Sequence, residues 1–313
     1  MKPDVSIVVP AYNESESIPL FVDAASEYVN TVDFFIQFVF VDDGSADSTL
    51  QMLRDIEIPG ADCKVVKLSR NYGSHPAIRA GSANSDADYV VVYSMDMPYP
   101  IEDITRIREE LLAGNELVYL ERVGYRGSWG SRKFAKMVQK YIEPSYPAEG
   151  LVGIAYGSKI KEQLRQHPEK NSSIFFQVFQ MGYTRKGLKV EYVEREAGSS
   201  KWSLHKKIKL FIDSFVGFSY MPIHAITAVG GVLAAAGIIW ALVIVILKLF
   251  NIVQFDAGWP SLMAVLLVGI GIINISLGII SEYLVRNLEA TRERPAFLVD
   301  EVYEKKSSVR RDA

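Results

Sequence analysis

Hydrophobic residues in the first 120 positions come in short runs that polar segments interrupt. Runs of five to eight mostly apolar residues bounded by turn-forming residues are typical of strands buried in a sheet. They predict strands at residues 5–9, 34–41, 64–68, 89–93 and 116–120. The intervening segments predict helices at residues 17–29, 50–56, 76–82 and 100–112. This alternation predicts an α/β domain with a Rossmann-like, mostly parallel, doubly wound sheet.

After Pro222 the hydrophobic runs become much longer. Residues 223–250 and 261–283 are apolar with few exceptions, and each run exceeds the ~20 residues that cross a bilayer as a helix. The two runs predict two transmembrane helices joined by a short outer loop at residues 251–260. Because two helices are too few to enclose a conduit, the pattern does not indicate a transporter.

Charges flank this helix pair unevenly. Lysines cluster at residues 206–209 and arginines at 286–294, whereas the connecting loop carries neither residue type. The positive-inside rule therefore predicts a multi-pass protein of the plasma (inner) membrane with both termini cytoplasmic. Apolar residues at helical spacing before the pair predict an amphipathic helix on the surface of the lipid bilayer. The expected divisions are a cytosolic domain at 1–203, the amphipathic helix at 204–222, the transmembrane hairpin at 223–285 and a cytosolic tail at 286–313.

Composition narrows the class of function. The net charge is -3 over 313 residues, so no global basic field indicates nucleic-acid binding. The single cysteine, Cys63, excludes a disulfide framework and fits a reducing compartment. The sequence also lacks a Ser-His-Asp order, zinc-ligand spacing and a Walker loop, so those catalytic classes are not indicated.

Carboxylates follow two of the predicted strands directly. Asp42 and Asp43 end the strand at 34–41, and Asp96 follows the strand at 89–93. Because the carboxyl ends of parallel strands meet at one edge of a sheet, we expect the three side chains to lie close together there. Such a group can bind a nucleobase or ribose and hold a divalent cation on a diphosphate. The alternative is that Asp42 and Asp43 are only turn residues and helix caps.

Cations are concentrated in two later segments. A glycine-rich loop carries Arg122, Arg126 and Arg132, and a second basic segment contains Arg195, Ser200 and Lys201. Guanidinium and ammonium groups can bind an anionic second substrate through charge-assisted hydrogen bonds. If that substrate is a phosphate monoester, it is already a nucleophile, and catalysis then requires mainly positioning and stabilisation of the leaving diphosphate. The alternative is a solvated basic loop.

Several segments resemble motifs of family 2 glycosyltransferases, which have the GT-A fold. Three segments resemble the family's nucleotide-sugar-binding motifs: VVPAYNE at 8–14, VDDGS at 41–45 and DST at 47–49. The segment RNYGSHPAI at 70–78 is similar to polyprenyl-phosphate glycosyltransferases, the group of dolichol-phosphate mannose synthase and bacterial undecaprenyl-phosphate glycosyltransferases. Further similar segments lie at 194–202, 218–222 and 281–286. The resemblance spans about residues 5–299.

The resemblance implies an inverting, membrane-bound polyprenyl-phosphate glycosyltransferase, usually a homo-oligomer and often a tetramer. It would move a sugar from a nucleotide-diphosphate sugar, expected to be UDP-linked, to undecaprenyl or another polyprenyl phosphate. The catalytic set would be Asp96, Arg122, Arg126 and Lys201, with Asp96 holding Mg²⁺ or Mn²⁺. The residues expected to bind the nucleotide sugar are Pro10, Tyr12, Glu14, Asp42, Asp43 and Ser94. Those expected to bind the acceptor phosphate are Arg122, Arg126, Arg132, Arg195, Ser200 and Lys201.

Two departures from the family pattern bear on these expectations. Ser94 and Pro98 stand where the family usually has Asp and Gln around Asp96, so weakened cation binding is expected. Residues 154–158 replace the usual Phe-Arg-Leu segment, which predicts a different sugar pocket. One alternative is therefore a non-catalytic, nucleotide-sugar-binding membrane scaffold that has lost full metal chemistry. A processive polysaccharide synthase is a weaker alternative, since two helices leave no room for a polymer channel.

Overall fold

A computed structural model describes residues 2–123, 129–147, 150–167, 173–191, 221–250, 259–292 and 295–307. The chain divides into two compact units. The sheet unit comprises Met1–Lys206 together with Pro295–Ala313, and the helical unit comprises Lys207–Arg294. The predicted amphipathic helix at 204–222 lies outside the described residues, except for its last two positions.

The described strands of the sheet unit form one mixed sheet. Its strands are β1 (Val5–Ala11), β2 (Ile36–Asp42), β3 (Asp62–Leu68), β4 (Tyr89–Val92), β5 (Leu117–Val123), β6 (Leu151–Tyr156), β7 (Arg185–Glu191) and β8 (Val299–Lys305). Their order across the sheet is β7-β5-β6-β4-β1-β2-β3-β8. The parallel pairs are β1–β2, β1–β4, β2–β3 and β5–β7, whereas β6 and β8 run antiparallel to their neighbours. Thus the α/β prediction is confirmed, but the sheet is less parallel than the sequence indicated.

Seven helices of the sheet unit lie in the described residues. They are α1 (Ile18–Thr31), α2 (Thr49–Asp55), α3 (Ser74–Ala83), α4 (Asp103–Leu112), α5 (Trp129–Tyr141), α6 (Ser158–Gln166) and α7 (Ile174–Gln180). The five strands and four helices that the sequence predicted are all present. Strands β6, β7 and β8 and helices α5, α6 and α7 were not predicted.

The central strands are buried on both faces, which explains their unbroken apolar runs. All seven residues of β2 are buried. The ring of Phe21 on α1 packs edge-on against Phe38 and Phe40, with centroid distances of 6.0 and 5.8 Å. Removing one such side chain from water contributes about 1.5–3 kcal/mol, so this cluster fixes α1 on the sheet.

The strand order places a topological switch point between β1 and β4. The chain proceeds from β1 to β2 and β3 on one side and then returns to add β4 on the other. Open α/β sheets bind ligands in the crevice outside the carboxyl ends of the strands at such a point. Here the register pairs Ala11 with Asp42, and the backbone N–H of Tyr93 donates to the carbonyl of Val8 at 3.0 Å. The segments with Tyr12, Asp42 and Asp96 therefore leave the same edge of the sheet.

Residues 286–313 were predicted to form a cytosolic tail after the transmembrane hairpin. Residues 295–307 join the sheet unit, and β8 pairs antiparallel with β3 from Cys63 to Leu68. β8 has mostly exposed side chains, so it lacks the apolar run from which the other strands were predicted. Its charged residues instead pair with cations of the sheet unit, as described below.

The described residues of the helical unit form two long helices, α8 (Met221–Leu249) and α9 (Trp259–Thr291). They are 29 and 33 residues long, which corresponds to about 44 and 50 Å at the α-helical rise. Of the described helices, one contains a stretch long and apolar enough to cross a membrane, Val268–Val285, with mean hydropathy 1.8. Apolar side chains of both helices are exposed, for example Val232 at 70% and Val265 at 70%.

Candidate active site

The loops that follow β1 and β2 are fixed to each other by hydrogen bonds. Asn13 has a left-handed backbone with φ 54°. Its backbone N–H donates to the Ser45 hydroxyl at 3.1 Å, and its side-chain oxygen accepts from the Ala46 N–H at 2.8 Å. The backbone N–H of Glu14 donates to the buried Thr49 hydroxyl at 2.8 Å. These bonds satisfy backbone groups at the carboxyl edge and hold both loops in one conformation.

Asp47 reinforces the same junction from the solvent side. Its carboxylate accepts hydrogen bonds from the backbone N–H of Thr49 at 3.0 Å and of Ser15 at 3.4 Å. Burial opposes ionisation, but the hydrogen bonds from Thr49 and Ser15 together outweigh it and lower the pKa of Asp47 to about 2. None of Asn13, Ser45 and Thr49 was predicted to be a site residue. All three fall inside the motif segments, where short polar side chains after a strand indicate turn bonding.

Asp42 and Asp43 are both buried, at 1% and 3% exposure. The Asp42 carboxylate accepts weakly from the Ser45 N–H at 3.3 Å and closes the turn after β2. Tyr12, by contrast, is 43% exposed at the end of β1, and Pro10 and Glu14 are half-buried. The edge therefore combines a solvent-facing aromatic ring with buried carboxylates.

Asp43 serves the loop after β3. Its two carboxylate oxygens accept the backbone N–H groups of Tyr72 at 2.7 Å and Gly73 at 2.8 Å. Burial raises the pKa of Asp43 to about 6, against the lowering effect of these two hydrogen bonds, and the neighbouring Asp42 charge raises it further. These contacts join Asp43 to a loop 29 and 30 residues further along the chain, rather than closing its own turn or capping the helix that follows it.

Gly44 permits the close approach of the two loops. It has φ +69°, and an added Cβ would lie 2.7 Å from the backbone carbon of Arg70 and the backbone nitrogen of Asn71. No side chain fits there without movement of the backbone. The loop after β3 is thus pressed against the turn after β2, and the Arg70 guanidinium covers the Tyr72 ring at 4.9 Å.

Asp96 lies on a separate turn after β4. The carbonyl of Ser94 accepts from the Met97 N–H at 3.0 Å, and Met97 has φ 47°. Beneath the turn, the buried Tyr93 hydroxyl donates to the Tyr99 carbonyl at 2.6 Å. Asp96 itself is half-buried, as is Ser94. Residues with a left-handed backbone occur often at functional sites, and this one adjoins the expected metal carboxylate.

The carboxylates do not form a metal site by themselves. Within the described residues, no group of three or more His, Cys, Asp or Glu side chains could hold an ion. One carboxylate at the switch point nevertheless fits the mode in which Mg²⁺ binds, through one or two protein carboxylates plus substrate phosphates. The donor set therefore fits a cation that arrives with a diphosphate.

The expected cationic residues are only partly described. Arg122 lies near the end of β5, half-buried. β5 is antiparallel to β6, which is antiparallel to β4, so β5 ends at the same edge as β4. Two strand spacings put Arg122 roughly 10 Å along the edge from β4. Arg126, Arg195, Ser200 and Lys201 lie outside the described residues, and for Arg132 only the backbone, in α5, is described.

A cavity of about 980 Å³ lies elsewhere in the sheet unit, between α3, α6 and residues 295–297. Three of its cations are already engaged: Lys159 with Glu116 at 3.1 Å, Arg165 with Glu162 at 2.8 Å, and Lys161 with two backbone carbonyls at 2.8 Å. None of the carboxylates at the switch point lines it. We therefore do not place the reaction there.

Comparison with known sequences gives matches along most of the chain. The family model described as glycosyl transferase family 2 matches residues 6–190. The undecaprenyl-phosphate 4-deoxy-4-formamido-L-arabinose transferase of Proteus mirabilis is 30% identical over 306 residues, which cover 95% of this chain and 93% of that protein. Its namesake in Pseudomonas fluorescens is 32% identical, covering 95% and 89%. An uncharacterized glycosyltransferase of Bacillus subtilis is 30% identical, covering 95% and 94%.

Solved structures are more distant. The mannosyl-3-phosphoglycerate synthase of Rubrobacter xylanophilus is 13% identical, covers 75% of each chain and gives a TM-score of 0.47. The glucosyl-3-phosphoglycerate synthase of Mycobacterium tuberculosis, in complex with Mn²⁺, UDP and product, is 18% identical, covers 63% of this chain and 73% of that one, and gives a TM-score of 0.44. Because the identities are 18% or lower and both TM-scores are below 0.5, we infer no ligand of this chain from these two structures.

Proposed function

Because the chain belongs to glycosyl transferase family 2, we propose that it is an inverting polyprenyl-phosphate glycosyltransferase. It transfers a sugar from a nucleotide-diphosphate sugar, UDP-linked, to undecaprenyl phosphate or a related polyprenyl phosphate. The observation that carries this proposal is the convergence of Tyr12, Asp42 and Asp96 at the switch point. The similarity to the undecaprenyl-phosphate transferases supports the choice of acceptor, since it covers 95% of the chain, helical unit included.

On the donor side, Pro10 lies near the end of β1, and Tyr12 and Glu14 follow that strand. Asp42 is the last residue of β2, and Asp43 comes directly after it. The exposed ring of Tyr12 is suited to stack on a nucleobase, and the Asp42 carboxylate can accept from base or ribose donors. Asp43 acts indirectly, because its oxygens already hold the loop after β3. Ser94 begins the turn that presents Asp96 and can bond the sugar or diphosphate.

Asp96 would hold the divalent cation, Mg²⁺ or Mn²⁺, with the donor diphosphate supplying further oxygen ligands. When bound, such a cation neutralises charge on the leaving diphosphate. With Ser94 and Pro98 beside it, Asp96 supplies the one carboxylate of this turn. We therefore expect activity to require a higher concentration of the cation than in relatives with two acidic ligands.

The chain's cations bind the acceptor phosphate. Arg122 ends β5 at the same edge as the carboxylates, and the other residues assigned here are Arg126, Arg132, Arg195, Ser200 and Lys201. A phosphate monoester needs little help from a general base, so these groups orient its oxygen toward the anomeric carbon and screen the charge between the two substrates. In-line attack from the face opposite the diphosphate gives inversion.

The lipid acceptor requires a membrane. We assign α8 and α9 to a two-span hairpin with both termini and the sheet unit on the cytoplasmic side, and residues 204–222 to an interfacial helix. The exposed apolar side chains of both helices support this assignment, since a large apolar surface is unfavourable in water and favourable in a lipid bilayer. Packing between copies, up to a tetramer, is part of the same proposal.

The test is a transfer assay with the full chain in membranes. Labelled nucleotide sugars, UDP-linked ones first, are incubated with undecaprenyl phosphate, with and without Mg²⁺ or Mn²⁺. We expect label in an organic-extractable, acid-labile lipid with one donor, dependent on the cation. Cation-independent donor binding with no product for any donor would instead favour the non-catalytic scaffold, whose motivation is the Ser94 and Pro98 pair.

A further inference from the structure

The tail strand is joined to the sheet by side-chain charges as well as by backbone pairing. Asp300 pairs with Lys67, and Glu301 contacts both Lys67 at 3.9 Å and Arg54 at 3.0 Å. Arg54 also covers the ring of Tyr303 at 4.5 Å. The Asp300 hydrogen bond is the largest influence on Lys67 and raises its pKa. β8 is therefore bound as an acidic strand against basic side chains of β3 and α2.

The beginning of this tail contacts the loop after β3. The carbonyl of Leu298 accepts the backbone N–H of Ser69 at 3.0 Å, just where β3 ends. Phe297 packs against the same hydrophobic cluster as Tyr72, and Ala296 is buried at 4% exposure. The Ser69 hydroxyl in turn bonds the Tyr72 hydroxyl at 3.0 Å.

The opposite side of the loop is held by the active site. Asp43 accepts the N–H groups of Tyr72 and Gly73, as described above. The loop at residues 69–73 thus spans from Leu298 on the tail to Asp43 at the carboxyl edge. A five-residue segment attached at both ends has few alternative conformations, and loss of either attachment widens its range.

We propose that β8 is a positioning element of the donor site, which fixes the loop at residues 69–73 against Asp43. The inference rests on the proposed function for its effect on transfer, and on the contacts alone for its effect on the loop. The tail follows α9 in the chain, so the segment that leaves the membrane helix completes the nucleotide side of the active site.

The experiment reverses the charges of β8 in the full chain. Asp300→Lys with Glu301→Lys places like charges against Lys67 and Arg54. The matched control, Asp23→Lys with Glu27→Lys, makes the same change in net charge on exposed positions of α1. A second variant, Asp300→Lys with Glu301→Lys and Lys67→Asp, gives both new lysines an anionic partner at residue 67 and should restore the contact between β8 and β3.

The first readout is amide hydrogen exchange in detergent, which requires neither substrate nor activity. We expect exchange at residues 72 and 73 to become about tenfold faster in the reversed variant, with the control unchanged and the second variant recovered. Those amides bond to Asp43 and not to β8, so a mere loss of edge pairing would leave them protected. Faster exchange confined to β3 and β8, or equal acceleration throughout the sheet, would overturn the proposal.

The second readout is the transfer assay, with the nucleotide sugar that serves as donor in the test of the proposed function. We expect KM for the nucleotide sugar to rise about tenfold while kcat and KM for undecaprenyl phosphate change less than about twofold. A fall in kcat with the donor KM unchanged would overturn the positioning role. If no donor supports transfer in the wild type, the proposed function fails, whereas faster exchange at residues 72 and 73 still supports the role of β8.

Discussion

The carboxyl edge of the sheet has two parts that are built differently. The loops after β1, β2 and β3 are joined by direct contacts, from Asn13 to Ser45, from Glu14 to Thr49 and from Asp43 to Tyr72. The turn after β4 is closed on itself by the bond from Met97 to the Ser94 carbonyl and rests on Tyr93. The first part is a network across three loops, and the second is a short turn on a buried aromatic support.

The difference separates two kinds of contribution to one reaction. A network of backbone bonds fixes the shape of a binding surface, so its side chains act chiefly on stability and donor affinity. A turn that presents a half-buried carboxylate acts where charge develops, so its effect falls on the rate of transfer. Substitutions in the network should therefore change the melting temperature and the donor KM, whereas substitutions in the turn after β4 should change kcat.

Asp96→Asn should have the largest effect. The amide keeps the shape of the side chain but removes the negative charge that would hold a cation on the donor diphosphate. We expect kcat to fall about a thousandfold, or ~4 kcal/mol of transition-state stabilisation, with little change in melting temperature. Transfer kinetics and thermal denaturation on the same preparation check this.

A matched control lies in the same turn. Met97→Leu changes a half-buried side chain beside Asp96 without any change in charge. It should leave kcat within about threefold of wild type. If Asp96→Asn retained full activity, the charge-based account of this turn would be wrong.

Gly44→Ala should have the largest effect on the network. Its added methyl group would meet the Arg70 and Asn71 backbone at 2.7 Å, and φ +69° is strained for any residue with a Cβ. We expect the free energy of unfolding to fall by about 3 kcal/mol, measured as a fall in melting temperature of roughly 6–12 °C.

Gly114→Ala serves as the control for the backbone term. Gly114 has φ +97°, but an added Cβ there would meet nothing within 4 Å. Gly114→Ala should therefore lower the free energy of unfolding by about 1 kcal/mol, through backbone strain alone. Equal shifts for the two variants would show that the close approach of the loops after β2 and β3 does not matter.

Asp43 allows a pH test of the same network. Its pKa is raised to about 6 from 3.8, so the folded state binds the proton more tightly than the unfolded state does. Stability from this group is therefore greatest below pH ~4, falls as pH rises to about 6, and is constant above, a change of roughly 1–3 kcal/mol. Because the amide of Asp43→Asn does not titrate, the stability of this variant relative to wild type should rise as the pH is raised from 4 to 6. Melting temperatures at several pH values measure this difference.

The comparison with Asp43→Asn is needed because other groups titrate nearby. Burial lowers the pKa of His75 to about 4, with a further lowering by Arg79, so its contribution rises with pH in the same range. Asp47, with its pKa lowered to about 2, loses its contribution only below pH ~4. Both remain in the variant, so the difference between the two proteins isolates Asp43. A constant difference from pH 4 to 6 would contradict the raised pKa.

The sequence predicted the central strands because burial on both faces leaves a continuous apolar run, as in β2. Two of the three strands that it missed, β7 and β8, bury few side chains. β7 buries only Leu188 and Val190, and every residue of β8 is at least partly exposed. Their places depend on pairing with distant strands, and such contacts leave no local period in the sequence.

The candidate site shows the same limit. The position of Asp42, Asp43 and Asp96 at one edge followed from strand ends alone. That Asp43 serves the loop after β3 could not be predicted, because two adjacent carboxylates differ only in the direction that tertiary structure gives them. The role of Leu298 was equally hidden, since a backbone carbonyl carries no side-chain signature and lies more than two hundred residues from its partner Ser69.

Thr49→Val should have the smallest effect and tests whether the network acts as a unit. Valine keeps the volume of a fully buried side chain but leaves the Glu14 N–H without its 2.8 Å acceptor. We expect a loss of about 1–2 kcal/mol and a rise in the donor KM of a few-fold, with kcat nearly unchanged. The exposed Ser48→Ala is the control and should shift neither quantity. If Thr49→Val lowered kcat as Asp96→Asn does, the division of the edge into a binding network and a catalytic turn would be wrong.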